Sequence, residues 1–162
     1  MFFAKPGIYE PCGIFSITHI IVLVICLVLI GIFVYKIRNI TAKKLNLITR
    51  IIAIVIVFLE TGKIVFSFVN HQTNLDSWVP LYFCSMFIFA TILSGYAKGW
   101  LKSLADAFIG SGGIIAGAMF LIMPSTSLTI YPMFHYLSCY SMLYHSLMVF
   151  FGMGYLLNGI VV

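Results

Sequence analysis

Apolar runs recur along this chain at 15–37, 48–69, 79–96, 104–123 and 133–158. Each is near the length of about 20 residues that carries a helix across a bilayer. In hydrocarbon the backbone must satisfy its own hydrogen bonds, so these runs predict helices. Apolar residues make up 62% of the chain and charged ones 8%, which excludes an ordinary soluble domain. The expectation is an all-α, polytopic membrane helical bundle. It has five transmembrane helices in a single domain, residues 1–162, multi-pass in the cell membrane. The first run is too long for a signal-peptide core and no small-residue cleavage site follows it, so it should stay uncleaved. Cys12 follows no apolar stretch, which argues against a lipoprotein cysteine.

Charge sets the expected orientation. Lys36, Arg38, Lys43, Lys44 and Arg50 crowd the first connection, and Lys98 and Lys102 lie in the third. The second and fourth connections carry no Lys or Arg. Basic residues favour the cytoplasmic side, which predicts the N-terminus outside and the C-terminus inside. The net charge of +5 is then topological. No soluble basic face exists for nucleic acid, and the basic connection suits anionic lipid headgroups instead. Five spans do not divide into equal inverted halves, which argues against a transporter built from inverted repeats.

Ionisable groups inside spans are costly, and they mark pairing or function. At roughly 1.5 Å of rise per residue, His19, Lys63, Cys84 and His145 all fall in the outer half of the membrane. Asp106 falls near the inner end of the fourth helix. Glu60 and Lys63 share one helix face at i, i+3; they suit a structural ion pair or a polar wall for a headgroup. His19, near the interface, reads equally as a satisfied structural histidine or a catalytic one. His71 belongs to the outer loop. His135 sits in the aromatic run Tyr131-Pro132-Met133-Phe134-His135-Tyr136, which resembles an interfacial belt. His145 lies deeper and must face the bundle interior to find partners. Cys26 and Cys139 read as small buried hydrophobes, and Cys84 could reach Cys139 in a disulfide only if their helices touch. Gly113-x-x-x-Gly117 permits close helix approach, or leaves a slot for an acyl chain. No metal-ligand spacing appears, and no cofactor is implied.

The run Trp78-Val79-Pro80-Leu81-Tyr82-Phe83-Cys84-Ser85 resembles the Leu-Pro-Leu-His-Leu-Cys signature of the YwaF-like integral membrane family, related to the transmembrane protein 164 acyltransferases. Phe15-Ser16-Ile17-Thr18-His19 is similar to that family's opening phenylalanine–histidine segment. Gly113 to Pro124 is similar to its glycine-rich helix, and Pro132-Met133-Phe134-His135 with His145 to its closing histidine helix. Tyr82 stands where the family usually has histidine, and the family usually continues through further helices where this chain stops at Val162.

The resemblance implies a membrane-embedded acyltransferase that moves fatty acyl groups between lipids through a Cys84 thioester, with His145 as base. The candidate catalytic residues are Cys84, His145 and His19. Lys63, Glu60, Tyr82, Ser85 and His135 are the candidate substrate-binding residues. Membrane lipids are the expected partners, with a membrane-protein partner or a homo-oligomer as further ones. The competing reading is a non-enzymatic membrane subunit that binds a lipid or small molecule within a transporter or larger complex.

Overall fold

The computed structural model describes residues 1–71 and 82–160. Those residues form α1 (Ile17–Ile37), α2 (Ala42–Val69), α3 (Met86–Tyr96), α4 (Trp100–Phe108), α5 (Ile114–Ile122) and α6 (Tyr136–Leu157), with no strand among them. A 3-10 turn, Phe83–Ser85, leads into α3. A π turn, Ile109–Gly113, joins α4 and α5 into one rod, Trp100–Ile122. The expected boundaries shift where local chemistry extends a helix past its apolar run. Thus α2 starts at Ala42 rather than 48, because Thr41 caps it by accepting the Lys44 amide at 3.4 Å. Likewise α4 starts at Trp100 rather than 104, after Gly99 turns the chain at a φ of 63°. Such a positive φ is open to glycine at little cost. The expected helix start at Trp78-Val79-Pro80-Leu81 lies outside the described residues.

Burial follows lipid logic. α1 buries only His19 and Val34, and leaves Ile21, Val28 and Phe33 exposed. Apolar faces of that extent are stable against lipid rather than water. The helices Ile17–Ile37, Ala42–Val69 and Trp100–Ile122 are long and apolar enough to cross a membrane, and Phe83–Tyr96 is a shorter apolar helix. α6 is the opposite case. Serines, tyrosines and His145 dilute its apolar content, and it buries Ser138, Tyr140, Tyr144, His145 and Tyr155. It packs against α1, α2, the π turn and α5. Leu45, Ile56, Phe87, Ile109, Met148 and Phe151 fill the space between the helices.

The two ends of the bundle differ in kind. At one end the backbone of Ile37 accepts from Asn158 at 2.9 Å, and that of Gly95 accepts from Arg50 at 2.6 Å. Lys36, Arg38, Lys43, Lys44, Lys98 and Lys102 belong to the same end. At the other end the N-terminal segment folds over the chain between α5 and α6. Cys12 donates to Tyr131, Gly13 to Leu128, and Tyr136 to the Phe2 carbonyl, at 3.1, 2.8 and 2.9 Å.

The basic end also holds a closed polar knot. Tyr155 Oη lies 2.8 Å from Thr49 Oγ1 and 2.7 Å from Ser94 Oγ. Ser94 donates to Asp106 at 2.5 Å, and Lys102 donates to both Asp106 oxygens at 3.1 and 2.9 Å. Thr49, Ser94 and Tyr155 are all buried, so four elements are tied together in a dry place. Asp106 thus has its partners at the basic end of the bundle.

Two expectations follow. A cysteine introduced at exposed Thr129 in a cysteine-free background should be labelled from outside intact cells, and one at Lys43 should not. The reverse pattern would invert the proposed orientation. Separately, Tyr155→Phe should cost about 1 kcal/mol, the worth of one neutral hydrogen bond. Asp106→Ala should cost more, because it removes the charged acceptor shared by Ser94 and Lys102. Thermal unfolding in detergent reads both; unchanged melting in both variants would show that the knot is energetically idle.

Candidate functional site

Cys84 sits in the first turn of its helix. The 3-10 turn begins after Tyr82, whose carbonyl accepts the Ser85 amide at 2.9 Å, and runs straight into α3. A helix start aims unpaired amides and positive dipole at whatever precedes it. Tyr144 reaches across from α6 and donates to the Cys84 carbonyl at 2.9 Å, fixing that turn against the central helix. Phe87, about one turn after Cys84, meets the Tyr144 ring edge-on with centroids 6.1 Å apart. Cys84 itself is half-buried, and Ser85 and Lys63 line the same cavity.

Three tyrosines at four-residue spacing, Tyr136, Tyr140 and Tyr144, form a stripe on α6. Tyr140 donates to the Glu60 carboxylate. Lys63 Nζ lies 2.5 Å from the other oxygen of Glu60 and 5.9 Å from the Tyr140 ring centroid. The ion pair is therefore locked from the second helix onto the sixth. Glu60 is buried and fully engaged, whereas Lys63 keeps a face toward open space.

His145 follows Tyr144 and projects from the adjacent face. Its Nδ1 lies 2.7 Å from the Ser141 carbonyl, its ring stacks on Phe120 with centroids 3.6 Å apart, and it is 4% exposed. A carbonyl only accepts, so Nδ1 carries the proton and Nε2 presents a bare lone pair. Nε2 is buried and has no hydrogen-bond partner among the described residues. The glycine-rich helix makes this arrangement possible. A Cβ at Gly117 would stand 2.8 Å from both the His145 carbonyl oxygen and Val149 Cγ2. Without one, α5 lies directly on α6 and delivers Phe120 to the imidazole. The missing side chains accommodate α6, so they leave no acyl-chain slot there.

A cavity of about 730 Å³ collects these groups. Cys84, Ser85, Tyr82, Lys63 and His145 line it, together with Tyr140, Tyr144 and Ser141. Pro6 of the N-terminal segment, exposed His71, and Thr126, Ser127, Ile130 and Tyr131 of the α5–α6 connection complete its outer side. Glu60 stands behind Lys63 rather than in the wall.

Two of the sequence candidates lie elsewhere. His19 is fully buried, accepts the Phe15 amide at 3.1 Å on Nδ1, and donates through Nε2 to the Leu121 carbonyl at 3.0 Å. His135 is fully buried as the N-cap of α6. It accepts from Leu137 at 3.2 Å, donates to the Ala4 carbonyl at 3.1 Å, and stacks on Tyr131 at 4.1 Å. Both imidazoles have each nitrogen engaged, and both work as clamps outside the cavity wall.

All four cysteines are free thiols. Cys26 and Cys139 line a second, apolar cavity of about 500 Å³ between α1, α2 and α6, with Val22, Phe33, Met142 and Phe150. Cys139 therefore opens onto a different cavity from Cys84. Tyr140, Tyr144, Phe120 and Ser127 are additions that sequence reasoning did not single out. The four-residue tyrosine spacing was the available signal for the first two.

Lys63→Ala should destabilise the protein more than the double variant with Glu60→Ala. A buried carboxylate stripped of its cation is worse than no charge at all. Expression and melting temperature in detergent test this, and a double variant less stable than both single variants would refute the compensation.

The sequence model of the TMEM164 family matches residues 14–161. No curated protein and no solved structure matches the chain.

Proposed function

We propose that this chain, which belongs to the TMEM164 family, is a multi-pass cell-membrane acyltransferase that moves a fatty acyl group between lipids through a thioester on Cys84. The observation that carries this reading is a shared cavity wall: a thiol at a helix start and an imidazole whose bare nitrogen is buried and has no partner among the described residues. Membrane lipids are the substrates, reached from the outer half of the bilayer.

The chemistry runs in two balanced halves. His145 Nε2 takes the thiol proton as Cys84 Sγ attacks the acyl carbonyl of a donor lipid. The ester C–O bond breaks, and the departing lysolipid oxygen takes the proton from the imidazolium. An acceptor hydroxyl then gives its proton to Nε2 and attacks the thioester carbonyl. The C–S bond breaks, and the sulfur recovers the proton. Negative charge on the carbonyl oxygen in each half is met by the amides of the α3 start, the Ser85 hydroxyl or the Lys63 ammonium. The Ser141 carbonyl holds Nδ1–H, so one tautomer serves throughout.

Cells fed an alkyne fatty acid should yield labelled protein, and hydroxylamine at neutral pH should remove the label. Cys84→Ala should abolish it, while Cys26→Ala and Cys139→Ala keep it, because those thiols open onto the other cavity. His145→Ala should slow acylation by about 10²–10⁴-fold, the span for a lost general base. Hydroxylamine-sensitive label that survives Cys84→Ala would remove the nucleophile. Complete absence of label would favour the lipid-binding subunit.

A further inference from the structure

The cavity that holds Cys84 contains a second buried group without a partner. Among the described residues, the buried side-chain atoms lacking a hydrogen bond are Ser127 Oγ, Ser138 Oγ and His145 Nε2. Ser127 and His145 line the same cavity, and Ser138 does not. Ser127 is 1% exposed and His145 4%, and they come from separate elements, the α5–α6 connection and α6.

Ser127 also builds its local turn without its side chain. Its backbone carbonyl accepts the amides of Ile130 and Tyr131 at 3.1 and 2.8 Å. The hydroxyl is therefore surplus to the turn, and burying an unpaired hydroxyl costs stability. The two atoms have complementary capacities. His145 Nε2 only accepts, while a serine hydroxyl donates or accepts. An alcohol fits both, because it gives one proton to Nε2 and accepts one from Ser127.

We infer that Ser127 is a positioning residue that seats the hydroxyl of the acyl acceptor against His145 Nε2. This rests on the acyl-transfer reading above and assigns the acceptor subsite within it. The hydroxyl oxygen attacks the Cys84 thioester carbonyl while its proton passes to Nε2. The C–S bond breaks, the imidazolium returns the proton to sulfur, and the products are a new ester and a free thiol.

Binding to the Cys84→Ala protein in phosphatidylcholine nanodiscs separates this subsite from turnover. The probes are 1-oleoyl-lysophosphatidylcholine and its analogue lacking the free glycerol hydroxyl. The hydroxylated probe should bind about 30-fold to 100-fold more tightly, as two neutral hydrogen bonds allow. Adding Ser127→Ala should cut that preference about fivefold to tenfold, the share of one neutral hydrogen bond, and Ser127→Thr should keep it. Ser127→Ala breaks no hydrogen bond, so its melting temperature without probe should not fall. Equal preference in the Ser127→Ala protein, or none in its parent, would overturn the assignment. Alkyne labelling of the wild-type protein reports on the thioester independently: preference without label retains the subsite and removes the transferase, and label without preference does the opposite.

Discussion

Hydrocarbon offers no hydrogen bonds, and α6 is the helix that feels this most. Tyr136, Tyr140, Tyr144, His145 and Tyr155 all lie on it, and each needs a partner that lipid cannot supply. Those partners come from α2 for Tyr136 and Tyr140, from the α3 start for Tyr144, and from α2 and α3 together for Tyr155. Placing α6 among the other helices follows directly. The apolar helices, α1 above all, are then free to face lipid.

The two polar clusters along α6 show how similar ingredients yield different roles. Around Tyr155 every group has a partner, with a carboxylate, an ammonium and three hydroxyls closing on one another. Such a cluster fastens helices and has no capacity left for a ligand. Around Tyr140 and Tyr144 the carboxylate is equally satisfied, yet Lys63 and Cys84 keep faces toward open space, and His145 Nε2, buried in the same cavity wall, has no partner among the described residues. Residual capacity separates the two, because both are buried and polar.

The bundle was legible because apolar run length and the clustering of Lys and Arg are local properties of the chain. The run 15–37 became α1 almost unchanged. Depth along a helix is also local, so the sequence places Cys84 and His145 in the same half of the membrane, and both line the cavity. Azimuth was not local. His19 and His135 sit toward the same end of the bundle and look equivalent as residues, but Leu121 and Ala4 supply the carbonyls that occupy them. Those partners are remote in sequence, and no pattern of spacing announces them. Ser127 was invisible for a related reason: an ordinary serine in a polar connection becomes notable only when its turn turns out not to use it. The Gly113-x-x-x-Gly117 spacing allows close helix approach or an acyl-chain slot, and its actual effect, the Phe120 stack on His145, depends on which residue the close approach delivers.

The π turn between α4 and α5 acts as a phase setter. A residue of α-helix turns its successors by about 100°, whereas a π turn closes on the fifth residue and advances each side chain less. Five residues of it, Ile109–Gly113, decide which compass point α5 shows to α6. As built, that point is Gly117 with Phe120 beside it. Were the same stretch wound as regular helix, every later residue would be dialled around the axis, and a side chain would meet α6 where a glycine now does. The imidazole's aromatic floor is therefore governed by winding at a distance, in a segment whose one side-chain hydroxyl, that of Ser111, already donates to the Ala107 carbonyl.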